Sequence, residues 1–423
     1  MGGVLAGIKV VEFAQNLAVP ACGRVLAALG AQVVKVEPPG GESQRHMDNL
    51  HAPLESRPFA TINPGKRSVE LDIGSPHARP VIDALALWAD FVLTGMKQPD
   101  LARYGIDYER LSALNPRLIY LETSAFGARG PDAHLGGYDI LASALSGLTF
   151  LTARDDGSAP EPVIPAYTDA ATGLSSTVAL LCALRHRDQT GEGQRVLTSL
   201  LATALSLELS FASRFEEVDP AREKEFGEQL AGLRERGASP REQRRAWEAY
   251  WKRGGGIFDM YFRHFTTADG TIAVGALSPG LRQRLHLALG LPPLDQCPRH
   301  ASAGWQALVN RAEHLFAQRT TQEWQTLLGD AKVPCMRHKL PHEVLDDPQV
   351  RENDMVVELD HPTLGRYTTA NVPFTLERSP ARVPGPSPML GADTQAWLAD
   401  LGFSQADVAR LRDLGAFGKQ PGA

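Results

Sequence analysis

The chain has little cysteine and scatters what it has. Four cysteines in 423 residues, Cys22, Cys182, Cys297 and Cys335, stand far apart with no CxxC pair. Neither a disulfide framework nor a cysteine zinc site is expected. Cys335 reads as a packed thiol, because a nucleophilic thiol needs an activating histidine beside it. No apolar run approaches the ~20 residues of a membrane-spanning helix, so no membrane partner is expected. No secretory leader is expected either. Met1-Gly2-Gly3 opens like a myristoylation signal, but Ala6 fills the position that wants Ser or Thr. Positive charge is not in excess: 43 Lys and Arg against 49 Asp and Glu leave a net charge of −6. That argues against a nucleic-acid partner. Together these absences point to a cytoplasmic protein with reduced thiols. Internal repeats and low-complexity tracts are absent too.

What is present is a long chain, 43% hydrophobic, with more material than one core usually holds. Its first third alternates strand and helix signals. Ile8 to Phe13, Gln32 to Glu37, Ser68 to Leu71, Asp90 to Leu93 and Arg117 to Glu122 read as strands. Pro20 to Leu29 reads as a helix closed by Gly30, and Pro80 to Trp88 as another with proline in its first turn. This pattern predicts an α/β fold with a parallel, Rossmann-like sheet. The loop after the first strand is Ala14-Gln15-Asn16-Leu17-Ala18. It carries no GxGxxG, so neither NAD nor FAD is expected.

The middle of the chain is different. Glu216 to Arg253 is dense in charge and reads as solvated helix faces or as a connector. Gly254-Gly255-Gly256 ends it. Phe258 to His264 and Thr271 to Val274, joined by Ala268-Asp269-Gly270, predict a strand–turn–strand. Helical patterns follow at Leu281 to Leu289 and Trp305 to Leu328. Strands return at Val356 to Leu359 and Arg366 to Ala370, and helices at Thr394 to Leu401 and Ser404 to Leu414. The expected division is a large α/β domain over 1–215, a charged connector over 216–255, a small α+β domain over 256–340, and a return segment over 341–423 that completes the large domain. His338 and His342 have helical spacing, but Pro341 between them breaks a helix, so they read as loop residues and no metal is expected.

Asp169 is the most informative residue. It sits in Tyr167-Thr168-Asp169-Ala170-Ala171-Thr172-Gly173, where a Pro-containing segment meets an apolar helix expected over Ala170 to Arg185. One reading is a helix cap, whose carboxylate accepts orphan N–H groups. The other is a nucleophile, and it depends on the company Asp169 keeps.

That company is extensive. Leu5 to Glu37 (LAGIKVVEFAQ…LGAQVVKVEPPGG), Gly65 to Asp72 (GKRSVELD), Asn115 to Gly127 (NPRLIYLETSAFG) and Gly137 to Gly147 (GYDILASALSG) occur in that order. Asp169 to Gly173, Thr190 to Gln194 (TGEGQ) and Pro388 to Gly391 (PMLG) come after them. Each piece alone is weak. In this order and spacing they resemble the class III CoA transferases of the CaiB/BaiF type, a group that includes formyl-CoA and carnitine CoA transferases and the 2-methylacyl-CoA racemases. The resemblance implies a large α/β domain with a small one inserted, in a homodimer of two interlocked rings. It implies that an acyl-CoA and a carboxylic acid are the substrates. No tightly bound cofactor is implied, with coenzyme A arriving as part of the substrate.

On this resemblance Asp169 is the nucleophile that becomes an acyl anhydride and then an aspartyl-CoA thioester. Leu17, Ala18, Asp72, Ile73, Gly74, Gly136, Gly137 and Tyr138 fall on segments that line the CoA channel. Lys97 and Arg103 fall where the family places a basic pair for the nucleotide end, although Gly95-Met96 replaces its usual Asn-Phe. Leu17 stands where the formyl-CoA enzyme has a Gln that contacts the reacting groups, which counts against a very small acceptor such as oxalate. Lys66 and Arg67 match a basic pair that is either structural or phosphate-holding. Gly254-Gly255-Gly256 is either a flexible join or a lid over the intermediate. Two rival functions stay open. A racemase would want a His before Asp139, where this chain has Tyr138, a poor base at neutral pH. A non-enzymatic CoA-binding protein is the other.

Overall fold

The computed structural model describes residues 3–47, 54–152, 164–251, 256–300 and 302–417. They form two compact units. The second is Phe215–Asp347; the first holds the described residues before it and the return segment from Pro348. The charged stretch expected as a connector falls within the second unit.

The first unit is built on a six-stranded parallel sheet. Its strands are β1 (Lys9–Phe13), β2 (Gln32–Glu37), β3 (Arg67–Glu70), β4 (Phe91–Thr94), β5 (Ile119–Ser124) and β6 (Arg195–Ser199), in the order β3-β2-β1-β4-β5-β6. Paired valines in β1 and β2 and the apolar runs FVL in β4 and IYL in β5 suit a parallel sheet covered on both faces. The order reverses on either side of β1, as in dinucleotide-binding folds, so a crevice opens at the carboxyl ends near β1 and β4. One apolar cluster packs β1, β4 and β5 against the helix Ala18–Ala28. A second covers the opposite face with the helix Arg79–Trp88 and the C-terminal residues Trp397, Leu398, Val408 and Leu411. The helix Ala18–Ala28 begins two residues before the expected start, and Gly30 follows it at φ +100°. A side chain at Gly30 would also meet the Cα of Gly3 at 2.8 Å.

The return segment closes the sheet along the edge strand β3. Ser68 N–H donates to Asp393 Oδ2 at 2.9 Å, Gly391 N–H to Ser68 Oγ at 2.9 Å, and Glu70 N–H to Thr394 Oγ1 at 3.0 Å. An uncovered edge strand invites foreign pairing, and these bonds occupy it.

One polar cluster crosses this core. Glu12, on β1, is fully buried between Lys35 of β2 at 2.9 Å and Lys66 at 2.8 Å. Lys66 also donates to Asn63 Oδ1 and to the carbonyl of Pro20. Lys35 reaches Glu42 at 3.0 Å and the carbonyl of Ala14 at 2.7 Å. Beside it Arg45 grips Glu37 through two nitrogens, donates to the carbonyl of Pro388, and lies over the Phe59 ring. Burial works against the charge on Glu12, but its two ammonium partners hold its carboxyl below the usual carboxylate range. Lys66 is therefore structural. Arg67, with a half-exposed side chain, pairs with Asp400 at 3.9 Å.

The second unit holds β7 (Phe262–Thr266), β8 (Thr271–Gly275) and β9 (Cys335–Arg337) in one antiparallel sheet, with helices including Ala303–Phe316 and Thr321–Asp330. Two expectations are corrected in this unit. Phe258 lies in a helical turn, Ile257–Met260, and the strand starts only at Phe262. The helical stretch from Trp305 to Leu328 is two helices, parted where Thr320 and Glu323 form a capping box. The charged stretch folds as a hairpin of the helices Pro220–Glu235 and Pro240–Trp251, with Phe226 stacked on Tyr250 at 4.6 Å. The return segment adds the hairpin β10 (Val356–His361) and β11 (Gly365–Ala370) to the first unit.

Lys66→Ala would leave Glu12 with one buried cation instead of two. We expect a stability loss of about 3–5 kcal/mol in chemical denaturation. An unchanged denaturation midpoint with weakened CoA binding would instead assign Lys66 to phosphate.

Candidate active site

Asp169 lies in the first turn of a long helix, Tyr167–Thr190, which starts three residues before the expected Ala170. Its side chain does not cap that helix. The N-cap residue is Ala166, with no side-chain bond, and Asp169 is the third helical residue. Its own N–H is one of the orphan donors of the first turn and is taken by Asp139 Oδ2 at 3.1 Å. The capping reading is thereby corrected: the capping carboxylate is Asp139, from the first turn of the helix Asp139–Ser146.

The neighbouring helix fixes where Asp169 points. Gly173 lies one turn further on, and a Cβ there would sit 2.8 Å from Ala21 Cβ and 2.9 Å from the Ala18 carbonyl oxygen. Another turn along, Thr177 Oγ1 meets Cys22 Sγ at 3.4 Å. The helices Tyr167–Thr190 and Ala18–Ala28 therefore run side by side in the same direction, close enough to require glycine. Residues four apart share a helix face, so Asp169 faces the start of Ala18–Ala28, where Leu17 and Ala18 are half-buried. Its N-cap, Leu17, offers no side-chain acceptor, and the first-turn N–H groups of a helix are ready donors for negative charge.

The loop before Leu17 leads into the crevice at the carboxyl edge of the sheet. This cleft, of about 180 Å³, is lined from β1 by Phe13, Ala14 and Gln15, and from β2 by Glu37 and Pro38. After β3 come Asp72, Ile73 and Gly74, and after β4 Met96 and Tyr104. Lys97 and Arg103 are the chain neighbours of its lining residues Met96 and Tyr104. A Cβ on Gly136 would collide with Lys97 Cε at 2.4 Å, and one on Gly137 with Ala125 Cβ at 2.7 Å, so this glycine pair lets its backbone lie against both. The Arg103 guanidinium stacks on the Tyr104 ring at 4.5 Å and reaches Asp100 at 3.4 Å. Tyr138 has an exposed side chain.

Sequence reading missed Gln15 and Tyr104 as lining residues and Asp139 as the partner of Asp169. Asp139 stood in the GYDI run and was weighed only as the neighbour of an absent histidine. Gly254 and Gly255 lie outside the described residues. Gly256 belongs to the other unit, at φ +120°, where a Cβ would meet His300 Nδ1 at 1.8 Å. His338 bonds His264 at 2.9 Å and Thr271 at 2.8 Å, whereas His342 lies in the one-turn helix Pro341–Val344 rather than a loop, with Pro341 at its start. Among the described residues no three His, Cys, Asp or Glu side chains gather as a metal site.

A model of CoA-transferase family III matches residues 5–394. The chain belongs to CoA-transferase family III. A probable fatty acyl-CoA transferase of Mycobacterium tuberculosis is 30% identical over 414 residues, covering 93% of this chain and 97% of that protein. A succinyl-CoA:glutarate CoA-transferase of Mus musculus is 28% identical, covering 96% and 88%. A crystal structure of a CaiB/BaiF family protein from Brucella suis superposes with a TM-score of 0.74 at 27% identity, covering 95% of this chain and 100% of that one. As a member of CoA-transferase family III, the protein is an enzyme that transfers CoA.

Burial, and then the nearby charge of Asp139, push the Asp169 carboxyl up to about 7. An unfolded aspartate titrates near 3.9. The fold therefore penalises ionised Asp169, and the penalty grows between about pH 4 and pH 7. Asp169→Asn should melt at a higher temperature than wild type at pH 8, and the difference should vanish toward pH 4, as thermal unfolding across pH will measure.

Proposed function

We propose that the enzyme moves CoA from an acyl-CoA donor to a carboxylic acid through covalent intermediates on Asp169. The observation that carries this reading is the position of Asp169: a partly buried carboxyl in the first turn of a helix packed against Ala18–Ala28, whose N-cap Leu17 offers no acceptor and whose preceding loop lines the crevice at Gln15. The Asp169 carboxylate attacks the thioester carbonyl, the C–S bond breaks, and CoA leaves as thiolate. The thiolate then attacks the Asp169 carbonyl, giving aspartyl-CoA and releasing the donor acid. The acceptor carboxylate runs the sequence in reverse. A thioester is exchanged for a thioester, so neither metal nor redox chemistry is called for. First-turn N–H groups of Ala18–Ala28 are suited to the oxyanion of each step. Asp72, Ile73, Gly74 and Met96 are the wall against which the CoA chain lies, with Lys97, Arg103, Gly136, Gly137 and Tyr138 toward its phosphates. Relatives named for glutarate and for oxalate transfer support a carboxylic acid as acceptor. Leu17, an apolar residue beside Asp169, favours an acid larger than oxalate.

Asp169→Ala should lower transfer by at least about a thousandfold while CoA still binds. Wild type incubated with acyl-CoA and hydroxylamine should be modified at Asp169, read by peptide mass mapping. Normal turnover in the mutant, or an unmodified Asp169, would remove the nucleophile reading.

We also propose a homodimer of the interlocked kind. Ile140, Leu145, Val178 and Leu205 are exposed on three helices that pack on one another, and apolar side chains so gathered mark an interaction surface. Light scattering at micromolar concentration should give twice the chain mass; the mass of a single chain would refute it.

A further inference from the structure

We propose that Asp139 is a positioning residue for the transfer reaction: it caps the nucleophile's helix from a neighbouring helix, and its charge presses the Asp169 carboxylate toward the acylated state. The proposal rests on the reading of Asp169 as nucleophile.

The geometry has two parts. First, the opening turn of Tyr167–Thr190 has no cap of its own, since Ala166 offers no side-chain acceptor. Asp139, 8% exposed, supplies one by accepting the Asp169 N–H at 3.1 Å. One turn along the same helix, buried Ser143 Oγ bonds buried Thr168 Oγ1 at 3.0 Å. Two adjacent residues of the nucleophile's turn are thus fastened to one face of Asp139–Ser146. A nucleophile must be held within a fraction of an ångström of its attack geometry, and a frayed first turn would not do this.

Second, the fastening group is an anion. Among the described residues, the other elements packed near this turn bring no cation with a resolved influence on Asp169. The first turn of Ala18–Ala28 has no charged side chain, and Arg24, further along it, is engaged with the Ala370 carbonyl. Leu200–Glu208, which also packs on the nucleophile's helix, carries its one carboxylate, Glu208, at its far end. Among the described residues, Asp139 is the one charged group with a resolved influence on Asp169.

In the first chemical step an Asp169 oxygen bonds to the thioester carbon and the electron pair of the C–S bond leaves on sulfur. Negative charge moves from Asp169 to CoA, and no proton need move. The repulsion between Asp139 and Asp169 therefore exists in the resting carboxylate and disappears in the neutral anhydride and in aspartyl-CoA. Interactions that raise the reactant and fade as the new bond forms lower the barrier. A carboxylate made more basic is also a better nucleophile.

The test is the pH profile of kcat/KM in Asp139→Asn. The amide oxygen can still accept the Asp169 N–H, so the cap is kept and only the charge is lost. The acid limb of the wild-type profile should lie near pH 7. In the variant we expect it about one pH unit or more lower, with kcat at pH 8 reduced roughly tenfold, a barrier increase of about 1.4 kcal/mol, and KM for acyl-CoA nearly unchanged. Asp139→Glu, which restores the charge, should return the limb toward the wild-type pH. An acid limb unmoved in Asp139→Asn overturns the proposal. Should that variant not fold, Asp139→Ser, a smaller neutral acceptor, is judged by the same limb. Asp169→Asn is assayed alongside. If it turns over normally, the nucleophile reading falls; if it is inactive while the Asp139→Asn limb stays in place, only the role given to Asp139 falls.

Discussion

A buried carboxylate, Glu12, sits near the carboxyl end of the first strand, and much of the large unit is arranged to keep it company. Lys35 and Lys66 approach it from two other segments, and their remaining donors tie down the loops at Ala14, Pro20 and Asn63. The backbone that leads from the first strand to the first helix is held from below by ammonium groups. That same stretch forms the wall of the crevice and the start of the helix facing Asp169. A buried ion cluster is not an efficient source of stability, since desolvation offsets much of its attraction. Its effect here is directional: Lys35 holds the Ala14 carbonyl, and Lys66 holds the Pro20 carbonyl and the Asn63 side chain. Gly23 reflects the crowding, because a Cβ there would lie 2.1 Å from Glu12 Oε2.

The active site then depends on close approach. Gly173 lets the helix of Asp169 lie against the first helix, and Gly136 and Gly137 let their own backbone lie against Lys97 and Ala125. The Asp169 carboxyl is thus set on a packed helix instead of on a loop, with its solvation reduced and a second carboxylate, Asp139, beside it. Lys97 and Arg103 are the reverse. Both are exposed and keep their charge in water.

Several of these features could be read from residues alone, and the exceptions share a cause. Strands rich in valine declared themselves, and Gly30 marked the end of a helix, because both signals are local. Asp169 could be placed at a helix start for the same reason. Its capping role could not be judged, because the group that takes its N–H is thirty residues earlier in the chain. Glu12 in KVVEF gives no hint of burial; only the arrival of Lys35 and Lys66 makes it tolerable. Lys66 was ambiguous between phosphate and structure until its donors could be traced. The break at Thr320 was written in the spacing of Thr320 and Glu323, yet the apolar pattern ran through it.

The bond between Ser68 and Asp393 joins residues 325 positions apart. At roughly 5–20 residues per second, a ribosome needs about 15–65 s to deliver the second after the first. During that time the edge strand of the large sheet has emerged and its cover has not. The nascent protein therefore spends most of its synthesis as a sheet with one raw margin, and the whole second unit is made in the interval. A chain released short of Asp393 would never acquire that cover, and its margin would stay open.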